Sequence, residues 1–257
     1  MRSAPTRYRP RAAGPPPGPE GAPAPGPVVS GTDDGRTLPS VQRDFVEWRR
    51  GRRHYAVWAL DVDLPGVRAA SEAGRAALSP WLLPAQGRQP HVTIRVCGFP
   101  ALQVHEPDDF GFDELAAQTA ALARARIVPF HIEIGAPDSF ASAAYLGVGD
   151  PEGGIAALRR TLGEVSDADV KAHPPHVTFA LYRGAFALPE VHRRLRRWTL
   201  PPLRLAIDRV HCMHYDAAVI DGPLTSFYSF NLGERRGAEA LSEAHGVFAA
   251  NGPQHLP

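Results

Sequence analysis

The sequence predicts an α+β fold with mixed or antiparallel sheets and an internal duplication. Runs rich in β-branched and aromatic residues alternate with helix formers in the order strand–helix–strand–helix–strand–strand–helix–strand–helix–strand–strand. The tetrapeptide Pro-His-Val-Thr occurs twice, at Pro90–Thr93 and again at Pro175–Thr178. Each copy lies in a strand that follows a strand and a helix, the context a duplicated unit would supply. The chain has 257 residues, 44% of them hydrophobic and 21% charged, enough for one large domain or two small ones.

The elements follow from local pattern. "HYAVWALDVD" (54–63) is β-branched and aromatic and reads as a strand, with Tyr55 and Trp58 as core residues. Pro65 opens a helix through "GVRAASEAGRAAL", and Pro80 lies past its end. "RQPHVTIRVCGF" is the next strand. "GFDELAAQTAALARA" (111–125) combines strong helix formers with an acidic first turn. "PFHIEIGA" and "AAYLGVGD" are strands, "GGIAALRRTLGEV" a helix, and "PPHVTFALYR" the second motif strand. "PEVHRRLRRWT" is a short basic helix, and "LRLAIDRVHCMHYD" and "TSFYSFNL" are closing strands.

The ends differ from this interior. Nine of the first 27 residues are proline, so residues 1–40 read as a disordered or polyproline-like tail and the ordered domain as 44–232. That tail is arginine-rich but has no apolar stretch of the kind a secretory signal needs. Residues 233–257 are weakly patterned, with room for a loose helix before a frayed end. No apolar run reaches the roughly 18 residues of a membrane span. The formal charge of +1 gives no bulk attraction to nucleic acid. Cys97 and Cys212, inside apolar runs, read as buried thiols in a reducing compartment.

Chemistry concentrates in the repeated tetrapeptide. A second copy of a given tetrapeptide arises by chance on the order of once in several hundred chains of this length. Strand alternation puts His91 and Thr93 on one face with Arg95 following, and Val92, Ile94 and Val96 on the other. The second copy puts His176 and Thr178 on one face with Tyr182 further along. Two histidines across a cleft can divide proton transfer, one neutral as base and one protonated as acid. Threonine hydroxyls can donate to phosphate oxygens, and an arginine can neutralise their charge. This set suits displacement at phosphorus in a phosphodiester beside a ribose hydroxyl, and it requires no metal.

The twice-repeated His-x-Thr resembles the 2H phosphoesterase superfamily, in the bacterial branch of 2′-5′ RNA ligases or RNA 2′,3′-cyclic phosphodiesterases. The likeness runs from about residue 54 to 231 and includes "VWALDV", "HVTIRVCGF", "YLGVGD", "GGIAALRRTLGEV" and "HVTF". It implies two pseudo-symmetric α+β lobes with one motif from each lining a central cleft. His91 and His176 would then be the acid/base pair, and Thr93 and Thr178 the phosphate-binding hydroxyls; strand alternation, not the resemblance, adds Arg95 and Tyr182 as candidate substrate contacts. It implies opening of 2′,3′-cyclic phosphates to 2′-phosphates. The same four residues would serve the reverse reaction, 2′-5′ ligation. A non-catalytic RNA- or nucleotide-binding module is the alternative of another class. Relatives often carry an arginine soon after the second motif; here that position is Leu181, and the nearest arginine is Arg183. The chain is expected to act as a cytoplasmic monomer on an RNA end or a small cyclic phosphodiester, without cofactor or membrane.

Two further patterns carry less. In "HCMH", His211 and His214 fall on opposite strand faces and cannot share an ion, though His214 or Tyr215 could border the cleft. "HRRLRRW" reads as a solvated basic helix face, with Trp198 as an RNA-stacking surface in the other reading.

Overall fold

The first strand, β1 (His54–Asp61), is buried on both sides, and this decides the architecture. Ala56, Trp58 and Leu60 enter the main core, while Tyr55, Val57 and Ala59 enter a second apolar cluster on the opposite face. A computed structural model describes residues 35–163, 174–233 and 241–251, without the side chains of 241–243. The rest of both expected tails, and the end of the helix expected through residue 165, lie outside the described residues.

Two sheets build the molecule. The first has the order β3-β2-β1-β8-β9, from β2 (His91–Ala101), β3 (Asp109–Gly111), β8 (Arg209–Asp216) and β9 (Thr225–Asn231). The second has the order β6-β5-β4-β7, from β4 (Phe130–Ser139), β5 (Ala143–Gly149), β6 (His176–Leu181) and β7 (Leu203–Ile207). Pairing is antiparallel except for β2 with β3.

The duplication is visible in topology. In each half a strand, a helix and a motif strand follow one another, and the two strands pair: β1–α2 (Pro65–Leu78)–β2 and β5–α4 (Gly154–Thr161)–β6. Each of these helices packs on the other half's motif strand, α2 on β6 and α4 on β2. Helix α2 starts with proline in its first turn and buries Val67, Ala70, Gly74 and Leu78, a stripe at helical spacing. Helix α3 (Phe112–Ala125) has the expected acidic first turn and buries Leu115, Gln118, Thr119 and Leu122. One core, including Trp58, Val92, Leu146 and Val177, runs between the sheets.

Four expectations change. The stretch 203–216 breaks at Asp208, and its halves β7 and β8 join different sheets. Residues 35–40 are docked, not tail: the Thr37, Leu38 and Ser40 amides donate to the Phe186, Ala141 and Tyr182 carbonyls. A short helix α1 (Val46–Arg49) follows them. Near the C-terminus, α6 (Leu241–Ala250) buries Ala244 and Phe248 completely. Asn251 then stitches it to the fold. Its Oδ1 accepts from the Arg53 and His54 amides, and its Nδ2 donates to the His54 and Pro100 carbonyls. Finally, α5 (Leu188–Leu195) is shorter than expected, and Trp198, beyond its end, is partly buried edge-on against Phe179.

Candidate active site

Both motif strands begin on their histidine and carry the same irregularity. Along β2, Asp61 pairs with His91, Leu60 with Val92 and Ala59 with Thr93; then Trp58 pairs with Arg95, leaving Ile94 as an extra residue. Along β6, Gly147 pairs with His176, Leu146 with Val177 and Tyr145 with Thr178; then Ala144 pairs with Ala180, leaving Phe179 extra. A β-bulge thus follows the threonine in each copy, and a bulge re-aims every side chain beyond it.

That bulge corrects two expectations for one reason. His91 and Thr93 share a face, as do His176 and Thr178, because no irregularity separates them. Arg95 is paired with Trp58 and emerges on the opposite, helix-covered face. Its guanidinium donates to the Leu162 carbonyl at 2.6 Å and meets Glu114 at 3.2 Å. Tyr182 is likewise turned into the main core, 0% exposed, with its hydroxyl 2.5 Å from Ser139 Oγ. Leu181, where an arginine was expected from the resemblance, takes the motif face and packs with Phe45, Ala143 and Ile220. Simple alternation fails beyond Thr93 and Thr178.

Arginines from the packed helices hold the bulged backbone. Arg75 on α2 donates to the Phe179 carbonyl at 2.9 Å, and Arg159 on α4 reaches the Thr93 carbonyl at 3.4 Å. Each half therefore steadies the other half's motif.

The histidines are oriented identically. His91 Nδ1 lies 2.9 Å from the Gln89 carbonyl oxygen, and His176 Nδ1 lies 2.9 Å from that of Pro174. A carbonyl only accepts, so each Nδ1 carries the proton of the neutral ring and Nε2 carries the lone pair. Strands β2 and β6 adjoin, and the His176 charge is close enough to act on His91. Burial pushes His91 down to about 4; the Arg88 and His176 charges add to this, and the Gln89 hydrogen bond opposes it. At neutral pH the His91 ring is thus uncharged. The hydroxyls of Thr93 and Thr178 have no protein partner among the described residues.

The surroundings of the two histidines differ. His176 meets the rings of Phe140 and Tyr145 edge-on at 5.0 and 5.4 Å, and those two rings stack at 4.2 Å. His91 pairs with Asp61, and Thr93 pairs with Ala59, whose partner on its other side is His211, with Nδ1 3.1 Å from Ser226 Oγ. Asp61, Asp63, Asp208 and His211 line a cavity of about 430 Å³. His214 points the other way, its ring 4.2 Å from that of His54, as alternation in β8 requires. Tyr215 does face the motif side.

Sequence reasoning missed Phe140, His211 and Arg88. His211 reaches the site by cross-strand pairing through β1, and Phe140 by the β4–β5 turn that lays its ring on Tyr145. Arg88 was within reach, three residues before His91 in the motif's own lead-in.

The model of the 2′-5′ RNA ligase superfamily matches residues 65–218, more than half of the chain. Comparison with curated proteins gives no match. Among solved structures, Escherichia coli LigT complexed with 3′-AMP is similar at 18% identity and TM-score 0.46, covering 71% of this chain and 99% of that one. A Thermus thermophilus protein is similar at 16% identity and TM-score 0.44, covering 71% of this chain and 100% of that one. The family match contains both His-x-Thr strands and the two helices that brace them, and the chain belongs to the 2′-5′ RNA ligase superfamily.

Proposed function

We propose that the protein is a metal-independent phosphodiesterase that opens 2′,3′-cyclic phosphates on RNA ends or nucleotides. The observation that carries this reading is the pair of identically oriented imidazoles on adjoining strands, each with a threonine two residues on. Family membership supports phosphoester chemistry.

The step balances with the groups present. His91, neutral at working pH, takes a proton from water through Nε2 as the water oxygen bonds to phosphorus. The bond from phosphorus to the ribose 3′ oxygen breaks, and His176 delivers a proton to that oxygen. The products are a 2′-phosphate and a 3′-hydroxyl. Thr93 and Thr178 donate to the non-bridging oxygens, whose charge grows in the transition state. Assigning His91 as base follows from its depressed proton affinity in the free protein.

The test is hydrolysis of a 2′,3′-cyclic phosphate in EDTA. His91→Ala and His176→Ala should each lose about 10²–10⁴ in rate. Full activity in either variant would sink the mechanism. Paired RNA ends included in the same assay would reveal a 2′-5′ joined product if ligation is the direction used.

A further inference from the structure

Arg88 has a surplus of hydrogen-bond donors. It lies in the segment that delivers His91, and that segment is firmly held. The Arg88 amide donates to the Asp221 carbonyl at 3.0 Å. The Gln89 side chain both donates to the Leu224 carbonyl, at 2.6 Å, and accepts from the Leu224 amide, at 2.8 Å. The Arg88 guanidinium carbon sits 4.3 Å above the Tyr215 ring, on the sheet face that carries His91 and Thr93. Its Nε is sealed from solvent without an acceptor, and the Tyr215 hydroxyl is sealed and unpartnered as well. None of the other guanidinium nitrogens has an acceptor among the described residues.

A guanidinium presents five donors in a planar fork. An arginine withdrawn from water without a carboxylate costs several kcal/mol unless an anion answers it. The Asp221 carboxylate attracts the guanidinium electrostatically but forms no ion pair or hydrogen bond with it. The other arginine of the first motif, Arg95, is held on the opposite, helix-covered face by Leu162 and Glu114, and the second motif has Leu181 in place of a cation. We infer that Arg88, with the Tyr215 hydroxyl beside it, is the anion-binding group of the cleft and takes a non-bridging oxygen of the substrate phosphate. This rests on the proposed reaction for its substrate, but not for the anion site itself. Its placement also links binding to proton transfer. A phosphate on Arg88 neutralises a charge that bears on His91, so the base gains proton affinity as substrate arrives.

The experiment uses the full chain, with inorganic phosphate as probe. Arg88→Met keeps packing on Tyr215 and removes the unanswered charge. Phosphate should raise the melting temperature of the wild type but not of Arg88→Met, and the variant's phosphate affinity should fall tenfold or more. Without phosphate the variant should melt at or above the wild type, an outcome opposite to that of a merely structural arginine. Arg88→Lys should restore part of the affinity, and Tyr215→Phe should weaken it severalfold. In turnover, Arg88→Met should lose at least tenfold in kcat/KM on a 2′,3′-cyclic phosphate. Equal phosphate stabilisation of wild type and Arg88→Met would overturn the inference. A wild type that binds phosphate through Arg88 yet opens no cyclic phosphate would overturn the proposed reaction and leave the anion site standing.

Discussion

At the scale of the residue, what separates the two motif histidines is environment, not orientation. The two imidazoles have the same tautomer for the same reason, but His91 is half-buried and feels the Arg88 charge, while His176 sits against an aromatic wall. The acid limb of kcat/KM reports the free protein's base, so it should fall near pH 4 and not near the 6.5 of an ordinary histidine. Arg88→Met should move that limb upward, because a positive charge no longer opposes protonation of His91. A limb that stays in place would detach Arg88 from His91. Thr93→Val and Thr178→Val keep shape but lose the donor; each should cost about tenfold or more in kcat/KM with little change in melting temperature. The four motif residues were legible in the sequence because repetition marked them and no bulge intervenes between each histidine and its threonine. Arg95 and Tyr182 were misplaced because the bulge beyond each threonine leaves no trace in a period-two pattern.

At the scale of the element, each motif strand depends on close packing at glycines. A Cβ on Gly74 of α2 would lie 2.7 Å from the Trp198 ring and 2.8 Å from Phe179, the bulged residue of β6. Gly74→Ala should therefore destabilise by about 1–3 kcal/mol, the range for overpacking. It should also lower kcat, since the helix that holds the Phe179 carbonyl is displaced. Gly98, near the end of β2, has φ +116° and would bring a Cβ within 2.3 Å of the Asp108 carbonyl oxygen. Gly98→Ala combines strain with that clash and should cost more than Gly74→Ala in chemical denaturation. Equal midpoints for wild type and both variants would contradict the packing described. The helices and most strands were legible because their apolar spacing is regular. β3, with three residues, and α1, with four, are too short to show a period.

At the scale of the whole molecule, the first sheet is completed by chain that returns after the second has been built. The crossover at Asp208 and the closure by Asn251 hold the ends of the chain to the middle. Asn251→Ala leaves the Arg53 and His54 amides and the Pro100 carbonyl without their buried partner. It should cost about 2–4 kcal/mol, read by denaturant unfolding. Acid should loosen the same fold. Burial first, and then neighbouring positive charge, holds His91 and His214 down to about 4 in the folded state. Between about pH 6.5 and pH 4 the unfolded chain binds protons that the fold refuses, so stability falls as pH falls through that window. His91 contributes about 3 kcal/mol to this, and His214, which is partly exposed, contributes less. Melting temperature should drop between pH 7 and 5, and His214→Phe should flatten the drop. The sequence by itself determined the α+β class, the duplicated unit and the two His-x-Thr pairs, because periodicity and repetition are local properties of a chain. Tertiary structure alone decided the bulges, the split of 203–216 between sheets, the docking of residues 35–40 and of α6, and the stacking of Arg88 on Tyr215. Each of these depends on which distant strand supplies the hydrogen-bond partner, and that pairing is not written in any one segment.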